Sequence, residues 1–427
     1  MPIHPRDAII ALAAAAMLAW AAAVACAAEG ALPSSPAAPP PSAAAPPVAA
    51  PSPAAPLPAD AVYPEPLKDL GRAFKVRLVY FVPKDRQPIA RWREKIAVVM
   101  TFVNDLYARD LRSKGYAGAG LDFEFDAGGP AVHLLAGKET AAHYNGDPAF
   151  DGMRQWRLII PEVEAALGKA GKQVYVIFAE TYDDGPTPFE WRGGFALGAR
   201  FSTSGGVGMF SAWILRDEFC ATTVEGELRL LADDTPIPGR TANHGRRPDS
   251  PRFEFIEDGL GAVAHELGHA FGLPHDLRVD NVEIMANGFR WLRRNYLPSK
   301  GGPGPTAGFL MDTARLFRWS RYLMADVDAA DTQAPQARLE TPSRLKAGTT
   351  HFYVSADVTD DRGLAAYAFW LPGRDWILAG GDLVGTQVAL KQSLVVPPLE
   401  KGPMELVLLI MDRGGNLATV KTKIEVE

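Results

Sequence analysis

Residues 265–276 read His-Glu-Leu-Gly-His-Ala-Phe-Gly-Leu-Pro-His-Asp, and this spacing predicts a helix followed by a sharp turn. On an α-helix, His265 and His269 lie one turn apart, so both imidazoles leave the same face. Gly272 can end the helix in a left-handed turn, which lets the chain swing back and deliver His275. The alternative is an amphipathic helix whose two histidines are buried and hydrogen-bonded.

Three imidazoles with one open position are typical of a catalytic zinc site rather than a closed structural one. Glu266 lies between the first two histidines and is not needed as a ligand. It is placed to take the proton of a water that the metal activates, and to pass it on to a leaving amine. The zinc would also stabilise the developing oxyanion.

The full string HExxHxxGxxH, followed ten residues later by Ile-Met-Ala, resembles the active-site stretch of the metzincin zinc endopeptidases. In that family the three histidines bind zinc, the glutamate is the general base and the methionine lies beneath the metal. The resemblance carries these roles over to His265, His269, His275, Glu266 and Met285.

The residue after the third histidine adds detail to this resemblance. Asp276 is most similar to the adamalysin/reprolysin branch, where it could steer the backbone of the turn or hydrogen-bond near the Met-turn. Some branches carry a zinc-touching tyrosine two residues after the methionine, and here that place is Asn287. We therefore expect no tyrosine-switched mechanism.

The N-terminal segment predicts export. Arg6 precedes an apolar, alanine-dominated run, and residues 1–28 are typical of a secretory signal peptide, with a retained anchor helix as the alternative. Cleavage after an ordinary small-x-small site and lipoprotein-type cleavage at Cys26, which would give a lipidated membrane tether, both stay open. Residues 29–66 are rich in Ala, Pro and Ser and predict a disordered, extended linker. We expect an extracytoplasmic protein that is secreted, periplasmic or lipid-anchored to a bacterial envelope.

Cysteine content and charge exclude other classes. The chain has two cysteines, so a mature chain that keeps Cys220 and at most a modified Cys26 has no intramolecular disulfide framework. We expect Cys220 to be a small buried hydrophobe. The formal net charge is −6, and no basic patch indicates nucleic-acid binding.

The folded remainder is long enough for two domains. For residues 67–331 the pattern predicts an α+β, metzincin-like zinc peptidase domain with a mixed twisted sheet. The predicted strands are 74–82, 121–125, 173–179, 193–200 and 207–215, and the predicted helices are 89–111, 156–170, one from 255 or 256, and 309–324. By the family resemblance, 193–200 is our candidate for the edge strand that holds an extended substrate. Residues 222–255 predict a polar insertion near the cleft.

The aromatic and apolar residues after the Met-turn have two interpretations. Phe289, Trp291 and Leu292 could form the wall of the primed-side pocket, as family geometry implies, or they could be ordinary core residues.

Residues 335–427 predict an all-β sandwich of the immunoglobulin-like class, from short β-rich runs spaced by turn residues. The segment 412–416 resembles the Asp-x-x-Gly-Asn turn of bacterial Ig-like modules. Asp357, Asp360 and Asp361 are candidates for binding Ca²⁺, with solvated turn carboxylates as the alternative. We expect a binding or spacing module that could contact a surface or protein partner.

Three functional classes remain open. The first is an exported zinc endopeptidase acting on a protein or peptide substrate, and the second is an amidase with the same site acting on cell-wall peptides. The third is a zinc-binding adhesin or binding protein whose peptidase domain is latent or inactive. Glu266 disfavours the third class, because a structural zinc site does not require it. We expect a monomer.

Overall fold

The structure is a computed structural model that describes residues 56–118, 120–146, 150–171, 173–183, 191, 194–200 and 205–427. The predicted signal peptide, the first part of the predicted linker and Cys26 lie outside the described residues. The helices and strands up to residue 331 are β1 (Lys75–Val82), α1 (Trp92–Ser113), β2 (Phe125–Asp126), β3 (Gly129–Pro130), β4 (Val132–Ala136), α2 (Ala141–Asn145), α3 (Gly152–Leu167), β5 (Gln173–Ala179), β6 (Ala196–Arg200), β7 (Gly206–Ser211), α4 (Val224–Leu231), α5 (Arg252–Ala270), α6 (Arg293–Tyr296) and α7 (Met311–Arg318).

The first sheet has five strands in the order β4-β1-β5-β7-β6. Neighbouring strands are parallel except for β6, which runs antiparallel to β7 at the end of this order. β1 and β5 are nearly continuous apolar runs, as expected for strands that are buried on both faces. Side chains on one face of β1, including Val76 and Leu78, pack with α1, whereas Val79 and Phe81 pack with Ile159 of α3.

Helix α5 lies directly on strands β6 and β7. A Cβ at Gly198 of β6 would lie 1.9 Å from the carbonyl oxygen of Glu266, and one at Gly206 of β7 would lie 2.1 Å from that of Ala270. Only glycine allows this approach of helix backbone to strand backbone. The half of α5 that carries the histidines is therefore in direct backbone contact with the strands at the edge of the sheet.

Residues 336–426 form two further sheets. Their strands are β8 (Gln336–Glu340), β9 (Arg344–Leu345), β10 (His351–Thr359), β11 (Leu364–Leu371), β12 (Trp376–Asp382), β13 (Gln387–Val395), β14 (Gly402–Asp412) and β15 (Leu417–Val426). One sheet has the order β13-β10-β8 and the other β12-β11-β14-β15-β9. Phe352, Val354, Ala356 and Val358 are the buried alternate residues of β10, and they face a core shared by the two sheets.

The five-stranded sheet of this C-terminal region is covered on both faces. Leu408 and Ile410 of β14 point into the core between the two C-terminal sheets. Val407 and Leu409, the alternate residues, belong to the same core as α1 and α5. The C-terminal region is therefore packed onto the first part of the chain, residues 56–331. The sequence predicts a binding or spacing module here and gives no indication of this shared core.

Most predicted elements are confirmed within a few residues, but the strand predicted over 121–125 is wrong for 121–124. This stretch pairs with β1 as a strand only at an isolated bridge between Phe123 and Val76, and β2 forms a separate two-strand hairpin with β3. The buried carboxylate of Asp122 accepts hydrogen bonds from the N–H groups of Leu70 and Arg72, at 2.8 and 2.6 Å. These bonds fix the segment as a loop.

Three other boundaries differ from the prediction. The strand predicted over 207–215 ends at Ser211 and continues as a 3-10 helix over Ala212–Leu215. The strand predicted over 193–200 begins at Ala196, and residue 193 lies outside the described residues. The helix predicted over 309–324 covers only Met311–Arg318. No helix among the described residues is long and apolar enough to cross a membrane.

Candidate metal centre

Helix α5 carries the first two histidines of the motif. Its apolar residues recur at helical spacing, and Leu260, Val263, Ala264 and Leu267 are all buried. The helix ends at Ala270, and Gly272 adopts a positive φ of 98°. The N–H of the next residue, Leu273, donates back to the carbonyl of Gly268 at 3.0 Å. This left-handed turn reverses the chain and returns His275 to the helix.

The three histidine side chains converge on one point. The Nε2 atom of His275 lies 3.2 Å from that of His265 and 3.0 Å from that of His269. Tetrahedral zinc with Zn–N bonds of about 2.0–2.1 Å requires nitrogen pairs roughly 3.3 Å apart. The spacing of the three donors therefore fits a zinc ion.

Hydrogen bonds on the other ring nitrogens fix which atoms face the metal position. Nδ1 of His265 lies 2.7 Å from the carbonyl oxygen of Ile284, and Nδ1 of His269 lies 2.8 Å from that of Leu273. A carbonyl can only accept, so Nδ1 carries the proton in each ring and Nε2 of the neutral ring presents a lone pair. These two Nε2 atoms both face Nε2 of His275, so one cation between the three atoms could bind to all of them.

Burial keeps the three imidazoles neutral. Desolvation lowers the pKa of His265 well below its usual range, lowers that of His269 to about 4, and, together with His269, lowers that of His275 to about 3. Neutral imidazole is the form that binds metal. The alternative of two ordinary core histidines does not account for the third ring or for the facing lone pairs.

Glu266 lies at the junction of α5 and the edge strand β6. The residue is 9% exposed, and burial raises the pKa of its carboxyl to about 8. The carboxyl also accepts a hydrogen bond from the Gly198 backbone N–H, which acts in the opposite direction and lowers the pKa. A carboxyl in this position is suited to exchange a proton near neutral pH. A cation at the neighbouring histidines would shift it toward the ionised form.

Met285 lies against the helix between the histidines. It is fully buried, and a Cβ at Gly268 would lie 2.4 Å from its sulfur. Glu283, which the sequence analysis did not single out, accepts hydrogen bonds from the N–H groups of Met285, at 3.0 Å, and Leu310. Its carboxyl is buried, and desolvation raises its pKa to about 8. The sequence carried no signal for these contacts, because one of the two donors, Leu310, lies 27 positions further along the chain.

Asp276 organises the turn after the third histidine. Its carboxylate is fully buried and pairs with Arg278 at 2.7 Å, and its backbone N–H donates to the carbonyl of Met285 at 3.2 Å. These contacts agree with the backbone-steering position that the family resemblance implies. Asn287 donates its side-chain amide to Asp280 and adds nothing to the histidine cluster.

A residue from the C-terminal region reaches the third histidine. Oδ2 of Asp375, in the turn between β11 and β12, lies 3.8 Å from Nδ1 of His275. The backbone carbonyl of Asp375 accepts from the N–H of Leu277 at 2.7 Å, and the N–H of Ile377 approaches Asp276 at 3.4 Å. Burial raises the pKa of Asp375 to about 6. Sequence reasoning missed this contact, because nothing local marks a residue one hundred positions away as a neighbour of His275.

The remaining candidate residues divide between the site and the core. The ring of Phe289 lies 5.0 Å from that of His265, so this residue borders the metal position. Leu292 is buried in the core, and Trp291 packs against His244 with ring centroids 4.5 Å apart. Cys220 is a free, buried thiol next to the Lys95 carbonyl, in agreement with a small buried residue.

Comparison with known proteins gives a family match over part of the chain. Residues 221–302, which include α5, the three histidines and Met285, match the model of the family Metallopep, described as "Putative peptidase family". None of the curated proteins matches the chain in sequence.

Solved structures show a similar fold over most of the chain. Catalytically inactive OgpA from Akkermansia muciniphila, crystallised with an O-glycopeptide (glycodrosocin) substrate, aligns with a TM-score of 0.59 at 12% identity, over 87% of this chain and 98% of OgpA. Wild-type OgpA aligns with a TM-score of 0.53 at 14% identity, over 85% of this chain and 96% of OgpA. At these identities the likeness concerns the fold alone. The family match and the histidine cluster together support a metal-dependent peptidase.

Proposed function

We propose that this chain is an exported zinc endopeptidase. The observation that carries the proposal is the position of Nε2 of His275, 3.2 Å from that of His265 and 3.0 Å from that of His269, with Glu266 beside them at the sheet edge. His265, His269 and His275 would hold the ion. Bound zinc would supply Lewis acidity to the attacking water and to the scissile carbonyl. Export rests on the composition of residues 1–28.

Glu266 would act as the general base. Its carboxylate would take the proton from the attacking water and then deliver it to the leaving amine as the peptide bond breaks. The buried position would keep bulk water away from both transfers, and a cation at the histidines would keep the carboxyl ionised until it takes the proton. The Gly198 N–H holds the carboxylate in place during both transfers.

The substrate would bind as an extended strand along β6. Within the described residues β6 pairs with β7 on one side and ends the sheet on the other, so the free edge can accept a peptide by strand addition. Because α5 lies directly on β6 through Gly198, a peptide on this edge would pass close to Glu266. The likeness to OgpA makes O-glycosylated peptides the first substrate class to test.

The test measures zinc and hydrolysis in the same preparation. The purified chain would be analysed for metal content and incubated with peptide libraries, each with and without O-glycans on Ser and Thr. We expect about one zinc per chain and cleavage that Glu266→Ala lowers by roughly 10²–10⁴-fold without loss of zinc. Glu225→Ala, an exposed glutamate on α4, is the matched control and should cleave at the wild-type rate.

The two other functional classes give different results in this experiment. Stoichiometric zinc without cleavage of any library would favour a zinc-binding adhesin. With cell-wall peptides included as a further substrate set, cleavage restricted to that set would favour an amidase. Equal turnover by Glu266→Ala would remove this residue from the mechanism.

The ligand set has its own test. His269→Ala removes one of three donors from the cluster, so we expect zinc content to fall well below one per chain and activity to be lost with it. Stoichiometric zinc in this variant would show that the ion binds elsewhere.

A further inference from the structure

Three aspartates from distant parts of the chain converge where the C-terminal sheets meet the end of the first part of the chain. Asp331 precedes β8, Asp360 lies in the turn between β10 and β11, and Asp412 ends β14. Each offers a carboxylate oxygen, and these three atoms all lie within 4.8 Å of one another.

Two of these carboxylates have oxygens that are buried without a partner. Asp331 is 1% exposed, and its Oδ2 has no hydrogen-bond donor, while its Oδ1 accepts from the Gln333 N–H at 3.1 Å. Oδ2 of Asp360 is also buried without a donor. A buried acceptor left without a partner destabilises the folded chain, and more so if it is charged. A positively charged partner between the carboxylates would remove this destabilisation.

The third carboxylate is buried and held in place by its own turn. Asp412 is fully buried and accepts from the backbone N–H and the side-chain amide of Asn416, at 2.7 and 2.8 Å. This is the Asp-x-x-Gly-Asn turn singled out in the sequence. The turn fixes the direction of the Asp412 carboxylate toward the other two aspartates.

The neighbouring cations of the chain are engaged elsewhere. Arg362 pairs with Asp328 at 2.8 Å, and Arg321 donates to the side chain of Asn416. Burial raises the pKa of Asp331, and burial with the nearby Asp331 and Asp360 raises that of Asp412 to about 7. The carboxylates repel one another, and Arg321 and Arg362 act on them only at longer range, without an ion pair to any of the three among the described residues.

We propose that Asp331, Asp360 and Asp412 bind one Ca²⁺ ion that ties the end of the first part of the chain to two turns of the C-terminal sheets. The donors are oxygens only, which suits a hard cation and not zinc. Ligand oxygens on opposite sides of one Ca²⁺ ion lie about 4.6–5.2 Å apart, so three oxygens within 4.8 Å of one another can share it.

This assignment corrects the calcium site expected from sequence. Of the three residues expected there, Asp357, Asp360 and Asp361, only Asp360 belongs to the cluster found among the described residues. Asp357 lies on the exposed face of β10, and Asp361 is exposed and accepts from Gln333 at 3.2 Å. The partners of Asp360 come from positions 29 residues before it and 52 after it, which local spacing could not indicate.

The experiment titrates CaCl₂ into the zinc-loaded, full chain and follows heat and thermal unfolding. We expect saturable binding of one Ca²⁺, and a rise in Tm on the order of 5 °C at about 100 times Kd. Asp331→Asn keeps the shape and the Gln333 contact but removes the charge, and should weaken Ca²⁺ binding at least about tenfold. Asp357→Asn is the matched control and should bind Ca²⁺ as the wild type does.

Asp360→Asn provides a second test that does not depend on the folding of Asp331→Asn. This variant should keep its turn, because its Oδ1 can still accept from the N–H groups of Arg362 and Gly363. It should also lose the Ca²⁺-dependent rise in Tm. No saturable heat in the wild type would overturn the proposal. So would Ca²⁺ binding that both Asn variants retain.

Discussion

Glu227 is a buried carboxyl that the proposed reaction does not use. It is 1% exposed, and Oε2 accepts from the Ala221 N–H at 2.7 Å. Burial raises its pKa from 4.5 to about 8, so the folded chain keeps a proton there that the unfolded chain releases. Stability contributed by this proton is present below about pH 4.5 and is lost as the pH rises through 8.

Glu227→Gln should remove this pH dependence. Glutamine resembles the protonated acid and can keep the contact with Ala221, so the variant should gain Tm over the wild type by a few degrees at pH 8 and much less at pH 5. Thermal unfolding at the two pH values measures the difference. Glu225→Gln, on the exposed side of α4, should give the same Tm as the wild type at both. A Glu227→Gln gain that is equal at both pH values would contradict the pKa assignment.

Individual residues of the candidate site show which contacts the sequence could predict and which it could not. The positions of His265 and His269 follow from helical spacing, and the return of His275 follows from Gly272, because all of this geometry is local. Glu283 and Asp375 could not be found in this way. Their contacts depend on where distant segments pack, and neither residue has a spacing that distinguishes it from an ordinary acidic residue.

At the scale of elements, the contact between α5 and the edge strand β6 determines where a substrate can lie relative to Glu266. Gly198→Ala places a Cβ 1.9 Å from the Glu266 carbonyl oxygen, so the strand and helix must separate. We expect a loss of about 1–3 kcal/mol in stability and, because a misplacement of about 1 Å can be costly in rate, a fall in kcat/KM of roughly tenfold or more. Zinc content should stay near one, because the ligands come from α5 and the following turn.

Kinetics with a cleaved peptide and unfolding by denaturant check both expectations. Gly171→Ala is the matched control, since a Cβ there meets only ordinary contact at 3.8 Å. Wild-type kcat/KM in Gly198→Ala would mean that the substrate does not depend on this edge.

The prediction of elements succeeded where patterns are regular and failed where tertiary contacts override them. The apolar runs of β1 and β5 and the helical spacing of α1 were sufficient for their assignment. The short edge strand β4 was missed, because its alternation of buried and exposed residues covers only five positions. The stretch 121–124 has strand-like residues, but the hydrogen bonds to Asp122 hold it as a loop.

At the scale of the molecule, the C-terminal sheets belong to the proposed active site. The sheet containing β11 and β12 packs on the same core as α5 and brings Asp375 to His275. Backbone carbonyls hold Nδ1 of His265 and His269, and the Asp375 carboxylate occupies the corresponding place beside Nδ1 of His275. At 3.8 Å its effect is electrostatic: it favours the proton on Nδ1 and leaves Nε2 free for the metal.

Asp375→Ala should therefore weaken zinc binding by about 10–100-fold. The chain should stay folded, because the Asp375 side chain is partly exposed and the backbone contact with Leu277 does not need it. Competition with a zinc chelator measures the affinity, and thermal unfolding of the metal-free protein measures the fold. Asp382→Ala, an exposed aspartate at the end of β12, is the matched control and should bind zinc as the wild type does. Unchanged affinity in Asp375→Ala would mean that the C-terminal sheets support the turn at His275 through their backbone alone.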